Sequence, residues 1–134
     1  MTQEDKMLLI KDLSSRLPYA VHVQHISGVS GILHDISIRH KYDGNDNIYD
    51  AICYTDFLGD GDNITIEHFK PYLFPLSSMT DNQKQEYQYI TERWMYDSSY
   101  LISDSIDWLN KNHFDYRNLI DKNLAIDATG LNIY

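Results

Sequence analysis

The residues with the widest chemical repertoire in this chain lie close together near its C-terminal end. His113, Asp115, Tyr116 and Arg117 follow Trp108 by a few positions. A histidine oriented by a carboxylate can act as a general base, and an arginine can hold an anion by paired hydrogen bonds. Two readings of this set compete. In the first, His113, Asp115 and Arg117 share a pocket and perform acid–base work. In the second, they form a corner between helices: Asp115 caps a short last helix, Phe114 and Tyr116 pack, and Arg117 pairs with a nearby carboxylate. No nucleophile at a recognisable spacing and no glycine-rich phosphate loop accompanies the set, so the second reading is the stronger. No catalytic residue is therefore assigned. Trp108, His113, Asp115, Tyr116 and Arg117 remain as candidate binding residues, and the chain leans away from being an enzyme.

Metal chemistry finds little support. The six histidines include His22 and His25, three apart in an expected strand, and an odd spacing sends side chains to opposite faces. A chelating pair needs one face. His34, His40 and His68 come from different segments whose convergence spacing alone does not determine. The loop Asp43-Gly44-Asn45-Asp46-Asn47 begins like a calcium loop. However, Ile48 stands where the glycine is required, and Tyr54 stands where the closing glutamate is required. Asp60-Gly61-Asp62 is equally well explained by a tight turn. The single Cys53 lies in an apolar run and forms no intrachain disulfide. Neither a metal nor a cofactor is expected.

Composition narrows the partners. The chain of 134 residues carries 20 acidic and 11 basic side chains, a formal charge of −9. Phosphate contacts dominate nucleic-acid affinity, so this surface disfavours direct nucleic-acid binding. Its carboxylates, Asp43, Asp46, Asp60 and Asp62 among them, leave open an acidic decoy that imitates nucleic acid. Eleven tyrosines against four phenylalanines favour partly buried faces and interfaces. Tyr72, Phe74, Trp94 and Trp108 read as core rather than as a ligand platform. The acidic N-terminus lacks a signal-peptide hydrophobic region, and no apolar run reaches membrane-spanning length. The expectation is a cytoplasmic protein, with no membrane contact and an unidentified protein partner.

The elements that must position these residues form one α+β domain over residues 1–134. Residues 1–17 read as a helix: Thr2 caps it, Leu9, Leu13 and Leu17 line one face, and Pro18 ends it. Residues 19–74 read as a β region of four short strands, at 19–24, 29–38, 48–57 and 64–66, with turns at Ser27-Gly28 and Gly59–Asn63. These strands suggest a curled four-stranded antiparallel sheet or small barrel. Pro71 and Pro75 bracket an extended crossing that leaves the sheet. Residues 80–127 form a helical section packed on it. Thr80 and Gln83 box its first helix, which carries Tyr87, Ile90 and Trp94 inward. Ser103 or Ser105 caps the next, with Ile102, Ile106, Leu109 and His113 on one stripe. Tyr116–Lys122 forms the last.

Three blocks resemble a known family. These are Leu17-Pro18-Tyr19, residues 70–80 (Lys70-Pro71-Tyr72-Leu73-Phe74-Pro75 onward) and residues 106–127 (Trp108-Leu109-Asn110 through His113-Phe114-Asp115-Tyr116-Arg117 to Ile126-Asp127). They are similar to small uncharacterised proteins of Bacteroides-group bacteria and their phages and prophages. The resemblance covers roughly half the chain. It implies an accessory protein of phage or mobile-element origin without an established activity, and carries no catalytic residue over. On these grounds the expected function is a non-enzymatic binding or regulatory protein working through protein–protein contacts.

Overall fold

The computed structural model describes residues 1–44, 46–57, 64–93, 95–97 and 102–134, with the backbone alone at 43, 46, 47 and 102. The chain opens with helix α1, Gln3–Arg16. The Asp5 N–H donates to Thr2 Oγ1 at 3.0 Å, and Glu4 and Asp5 complement the positive end of the helix dipole. Leu9, Ile10 and Leu13 are buried along its inner face. Pro18 cannot continue the helix, which tightens into a 3-10 turn at Leu17–Tyr19 and leaves through Ala20 in the left-handed region (φ 53°).

The sheet contains β1 (His22–His25), β2 (Ser30–Asp43), β3 (Asp46–Thr55), β4 (Phe69–Pro75), β5 (Phe114–Asp115) and β6 (Ile126–Asp127). Its order is β3-β2-β1-β4-β5, with β6 also on β4. The first four strands pair antiparallel, whereas β5 and β6 join β4 in parallel. The architecture is α+β, as expected, but the sheet is open and mixed, and has more than four strands. The expected closed or purely antiparallel four-stranded form is incorrect.

Two local differences account for this. Residues 64–66 make only an isolated bridge, Ile52 to Thr65, before a 3-10 turn at Ile66–His68. The fourth strand is instead the proline-bracketed segment, which stays in the sheet and links β1 to both C-terminal strands. Prolines tend to break strands because they donate no ladder hydrogen bond. Here Pro71 is the last β4 residue opposite β1, and Pro75 the last opposite β5, so each sits where a ladder ends.

Beyond the sheet, α2 spans Asp81–Arg93 behind a complete capping box. Thr80 N–H donates to Gln83 Oε1 at 2.9 Å, and Gln83 N–H to Thr80 Oγ1 at 3.2 Å. Tyr87 and Ile90 turn inward as expected, while Trp94 lies outside the described residues. Helix α3, Ile102–Lys111, already contains Ser103 and Ser105, so neither caps it. Among its described residues Trp108, Leu109 and Asn110 are buried; of the expected stripe, Leu109 is in place, Ile106 is exposed, and the Ile102 side chain lies outside the described residues. The expected last helix at Tyr116–Lys122 is a run of turns. Asn118 and Asn123 take positive φ (64° and 59°), which an α-helix does not accommodate.

Two apolar clusters result. One lies under α1, joining Leu9, Leu13, Val21, Val23, Leu33, Phe69, Leu73 and Leu119. The other gathers Trp108, Leu109 and Phe114 with Tyr87 and Ile90. Among the described residues, no helix is long and apolar enough to cross a membrane.

Candidate functional site

The structure draws the C-terminal candidates toward α1. Leu9, Asp12, Leu13 and Arg16 occupy i, i+3, i+4 and i+7 of one helical stripe, which places an ion pair among leucines. Asp12 and Arg16 are fully buried. Arg16 grips Asp12 with two parallel hydrogen bonds, Nε to Oδ2 at 2.8 Å and Nη2 to Oδ1 at 3.1 Å. The same Nη2 donates to the Phe114 carbonyl at 2.7 Å. Arg117 approaches the other side, with Nε 3.3 Å from Asp12 Oδ1. Two guanidiniums thus share one carboxylate.

Tyr116 completes this knot. Its ring faces both arginines, with the guanidinium carbons 5.3 Å (Arg16) and 4.9 Å (Arg117) from its centroid. Its hydroxyl donates to Asn110 Oδ1 at 2.8 Å, which satisfies a buried amide. Trp108 stacks on Phe114 with centroids 5.7 Å apart and 13° between planes.

Asp115 is committed elsewhere. Its two carboxylate oxygens accept the N–H groups of Leu119 (2.9 Å) and Ile120 (2.8 Å), pinning the turns that replace the expected helix. It borders a surface depression of about 340 Å³ with Asp121 and Asp127, but its oxygens are spent on backbone.

His113 faces a third direction. Its φ of 62° ends the α3 segment, and its carbonyl accepts Phe74 N–H at 2.8 Å where β5 meets β4. Its ring stacks on Tyr134, centroids 3.6 Å apart and 9° from parallel. Burial, with smaller contributions from Arg16 and His22, pushes its pKa down to about 4. Nδ1 is buried without a hydrogen-bond partner among the described residues. Tyr134 is held in turn: its hydroxyl donates to the Tyr72 carbonyl at 2.8 Å and accepts His22 N–H at 3.0 Å. Burial raises its pKa to about 12.

His113, Asp115 and Arg117 therefore point to Tyr134, to a turn and to Asp12 respectively. They do not converge on a common cleft. Of the residues that tie the cluster together, Asp12, Arg16 and Tyr134 lie outside the C-terminal segment of residues 106–127, and Asn110 lies within it without a spacing that marks its role. Asp12 and Arg16 were accessible through the i, i+3, i+4, i+7 stripe; Tyr134 left no local signal.

The other candidates separate similarly. His22 and His25 do lie on opposite faces of β1, and it is His68 that approaches His25, with ring centroids 6.1 Å apart. Those two rings border a depression of about 370 Å³ with Glu67 and Lys70. Each Nδ1 is already within 2.9 Å of a hydroxyl, Ser27 for His25 and Thr65 for His68. Glu67 pairs with Lys6 at 3.0 Å, and Lys70 donates to Asn123. His34 and His40 are exposed on β2. Among the described residues, no group of three or more His, Cys, Asp or Glu could hold a metal ion. Cys53 is buried, and burial pushes its thiol pKa up to about 12. The side chains of Asp43, Asp46, Asp60 and Asp62, on which the decoy reading rests, lie outside the described residues. No protein-family model, curated protein or solved structure matches the chain.

Proposed function

We propose that this is a non-enzymatic binding or regulatory accessory protein that acts through protein–protein contacts. The supporting observation is the β2–β3 ribbon. Every β2 residue from Ser37 to Tyr42 is exposed, with Ile38 at 54% and Tyr42 at 71%. Ala51, directly opposite Ile38, is fully buried, so the ribbon carries the core face out past its cover. Apolar and aromatic side chains held in solvent by a regular ladder form a preorganised contact surface, which lowers the ordering cost of binding. The resemblance of residues 70–80 and 106–127 to small proteins of Bacteroides-group bacteria and their phages supports an origin in a mobile element.

The test is photocrosslinking from a benzophenone side chain at position 42 in a Bacteroides-group host, with position 84 on α2 as control. A discrete protein adduct from position 42 and none from position 84 is the expected result. If neither position 42 nor position 38 yields an adduct, the reading fails.

A further inference from the structure

The segment that follows β6 is fastened to the sheet at its tip. Ala128 is buried, and its N–H donates to the Leu73 carbonyl at 2.8 Å, but residues 129–132 are exposed and Ile133 is half-buried. Gly130 and Asn132 take positive φ (76° and 52°), which turns the segment back toward β1 and β4. Within it, Thr129 N–H donates to Asp127 Oδ1 and Leu131 N–H to the Ala128 carbonyl, both local bonds. Among the described residues, it is the Tyr134 hydroxyl whose bonds reach the sheet.

That hydroxyl is spliced into the β1–β4 ladder. Pairing between these strands ends at Val23 and Pro71, and the next opposed residues are His22 and Tyr72. Instead of bonding each other, the His22 N–H donates to the Tyr134 hydroxyl, which donates to the Tyr72 carbonyl. The ring lies flat on His113, edge-on to His22 (centroids 5.0 Å apart, 78° between planes) and 5.9 Å from the Phe74 ring. Thr129 and Gly130 border a depression of about 240 Å³ with Phe74, Phe114 and Ser78. A strap held by one side chain thus covers an aromatic patch.

The support under that side chain requires a neutral imidazole. An imidazolium donates from both ring nitrogens, yet His113 Nδ1 is buried and meets no acceptor among the described residues. The charged and titratable groups facing the stacked pair are Arg16 and Asp12 from α1 and His22 from β1, while β4 offers the Tyr72 carbonyl and the Phe74 ring. Arg16 and His22 oppose a further positive charge, and Asp12 is shared by two guanidiniums. Stacking a cation on the Tyr134 face offsets only part of this, because the new N–H stays buried without a partner.

We infer that residues 129–134 form an acid-released strap: protonation of His113 drives Tyr134 out of its slot and uncovers the His22–Tyr72 backbone pair and the aromatic patch around Phe74. The open strap lets the imidazole reach water, so the proton is taken up in the open form and excluded in the closed one. This device is independent of the β2–β3 contact surface.

Hydrogen exchange at the His22 amide reads the strap directly, on the full chain and with rates corrected for intrinsic exchange at each pH. The closed strap holds the His113 pKa at about 4, against an ordinary 6.5. Protection of His22 should therefore fall roughly tenfold or more between pH 7.5 and pH 5. Sub-denaturing urea should leave that exchange unchanged, because opening the strap exposes little surface. The same urea should accelerate exchange at Leu33, whose N–H bonds the Val21 carbonyl inside the sheet. His113→Asn should abolish the pH response. Tyr134→Ala should leave His22 unprotected at both pH values, and its His113 ring signals in NMR should titrate at a higher pH than in the wild type. A pH-independent His22 amide in the wild type, the same fall in His113→Asn, or His22 and Leu33 responding alike to urea overturns the inference. So does an unchanged His113 titration in Tyr134→Ala, a result that does not depend on the histidine variant folding.

Discussion

Arg16 donates to the carbonyl of Phe114 across 98 positions of sequence at 2.7 Å. That bond, with the grip on Asp12, fastens the N-terminal helix to the start of β5. Arg16 and Arg117, which both meet Asp12, therefore fasten the two ends of the chain together.

Asp12→Ala should be among the most destabilising single changes. It strands Arg16 and Arg117 against the core without their carboxylate, a loss on the order of 3–5 kcal/mol. The triple variant D12L/R16M/R117M, which removes all three charges together, should recover most of that loss. Urea unfolding of both variants makes the check. A single mutant within 1 kcal/mol of the wild type, on the order of an exposed ion pair, would contradict the buried arrangement.

Asp115→Ala should cost about 2–4 kcal/mol, because it leaves the buried Leu119 N–H and the Ile120 N–H without acceptors. Asp115→Asn keeps one acceptor oxygen and should cost less. Chemical denaturation, together with hydrogen exchange at residues 119 and 120, tests this; exchange unchanged from the wild type would count against the cap.

His113 makes stability depend on pH. Its pKa is lowered to about 4 in the folded state from an ordinary 6.5. Between those values the unfolded chain binds the extra proton and the folded one does not. The stability from neutral, stacked His113 is therefore complete above about pH 6.5, and declines as pH falls toward 4. His113→Asn tolerates the positive φ and removes the titration. Its urea midpoint should fall less steeply than that of the wild type between pH 7 and pH 4. Parallel curves would refute the assignment.

Gly31→Ala should destabilise by about 1–3 kcal/mol. An added Cβ would lie 2.1 Å from Asp56 Oδ1 and 2.4 Å from the Phe57 ring, which must both move. Moving Asp56 also strains its hydrogen bond from Ile32 N–H (3.1 Å). A thermal melt within 1 °C of the wild type would show that the β2 start is looser than this packing implies.

Local signals identified the elements whose boundaries have local causes. Thr2 and Pro18 bracket α1, the Thr80–Gln83 box opens α2, and Ser27-Gly28 turns β1 into β2 with Gly28 at φ 93°. The α+β class followed from the order of those elements. The C-terminal corner was also legible in outline, since Asp115 does accept the N–H groups of Leu119 and Ile120, though in turns rather than at the expected helix, and Arg117 does pair with a carboxylate. Its form was not, because Asn118 and Asn123 break the helix that composition alone allows.

Only the tertiary structure determined the place of β4, the partners of His113 and the role of Asp12. Proline content argues against a strand, yet Pro71 and Pro75 are harmless at ladder ends, and ladder ends are set by which strands arrive as neighbours. Tyr134 meets His113, and Arg117 meets Asp12, through contacts between distant segments that no spacing encodes. The sequence by itself determined where regular structure starts and stops, because capping and proline sterics act within a few residues. Which polar groups are buried together was decided by the packing of distant segments, since burial depends on neighbours from the whole chain.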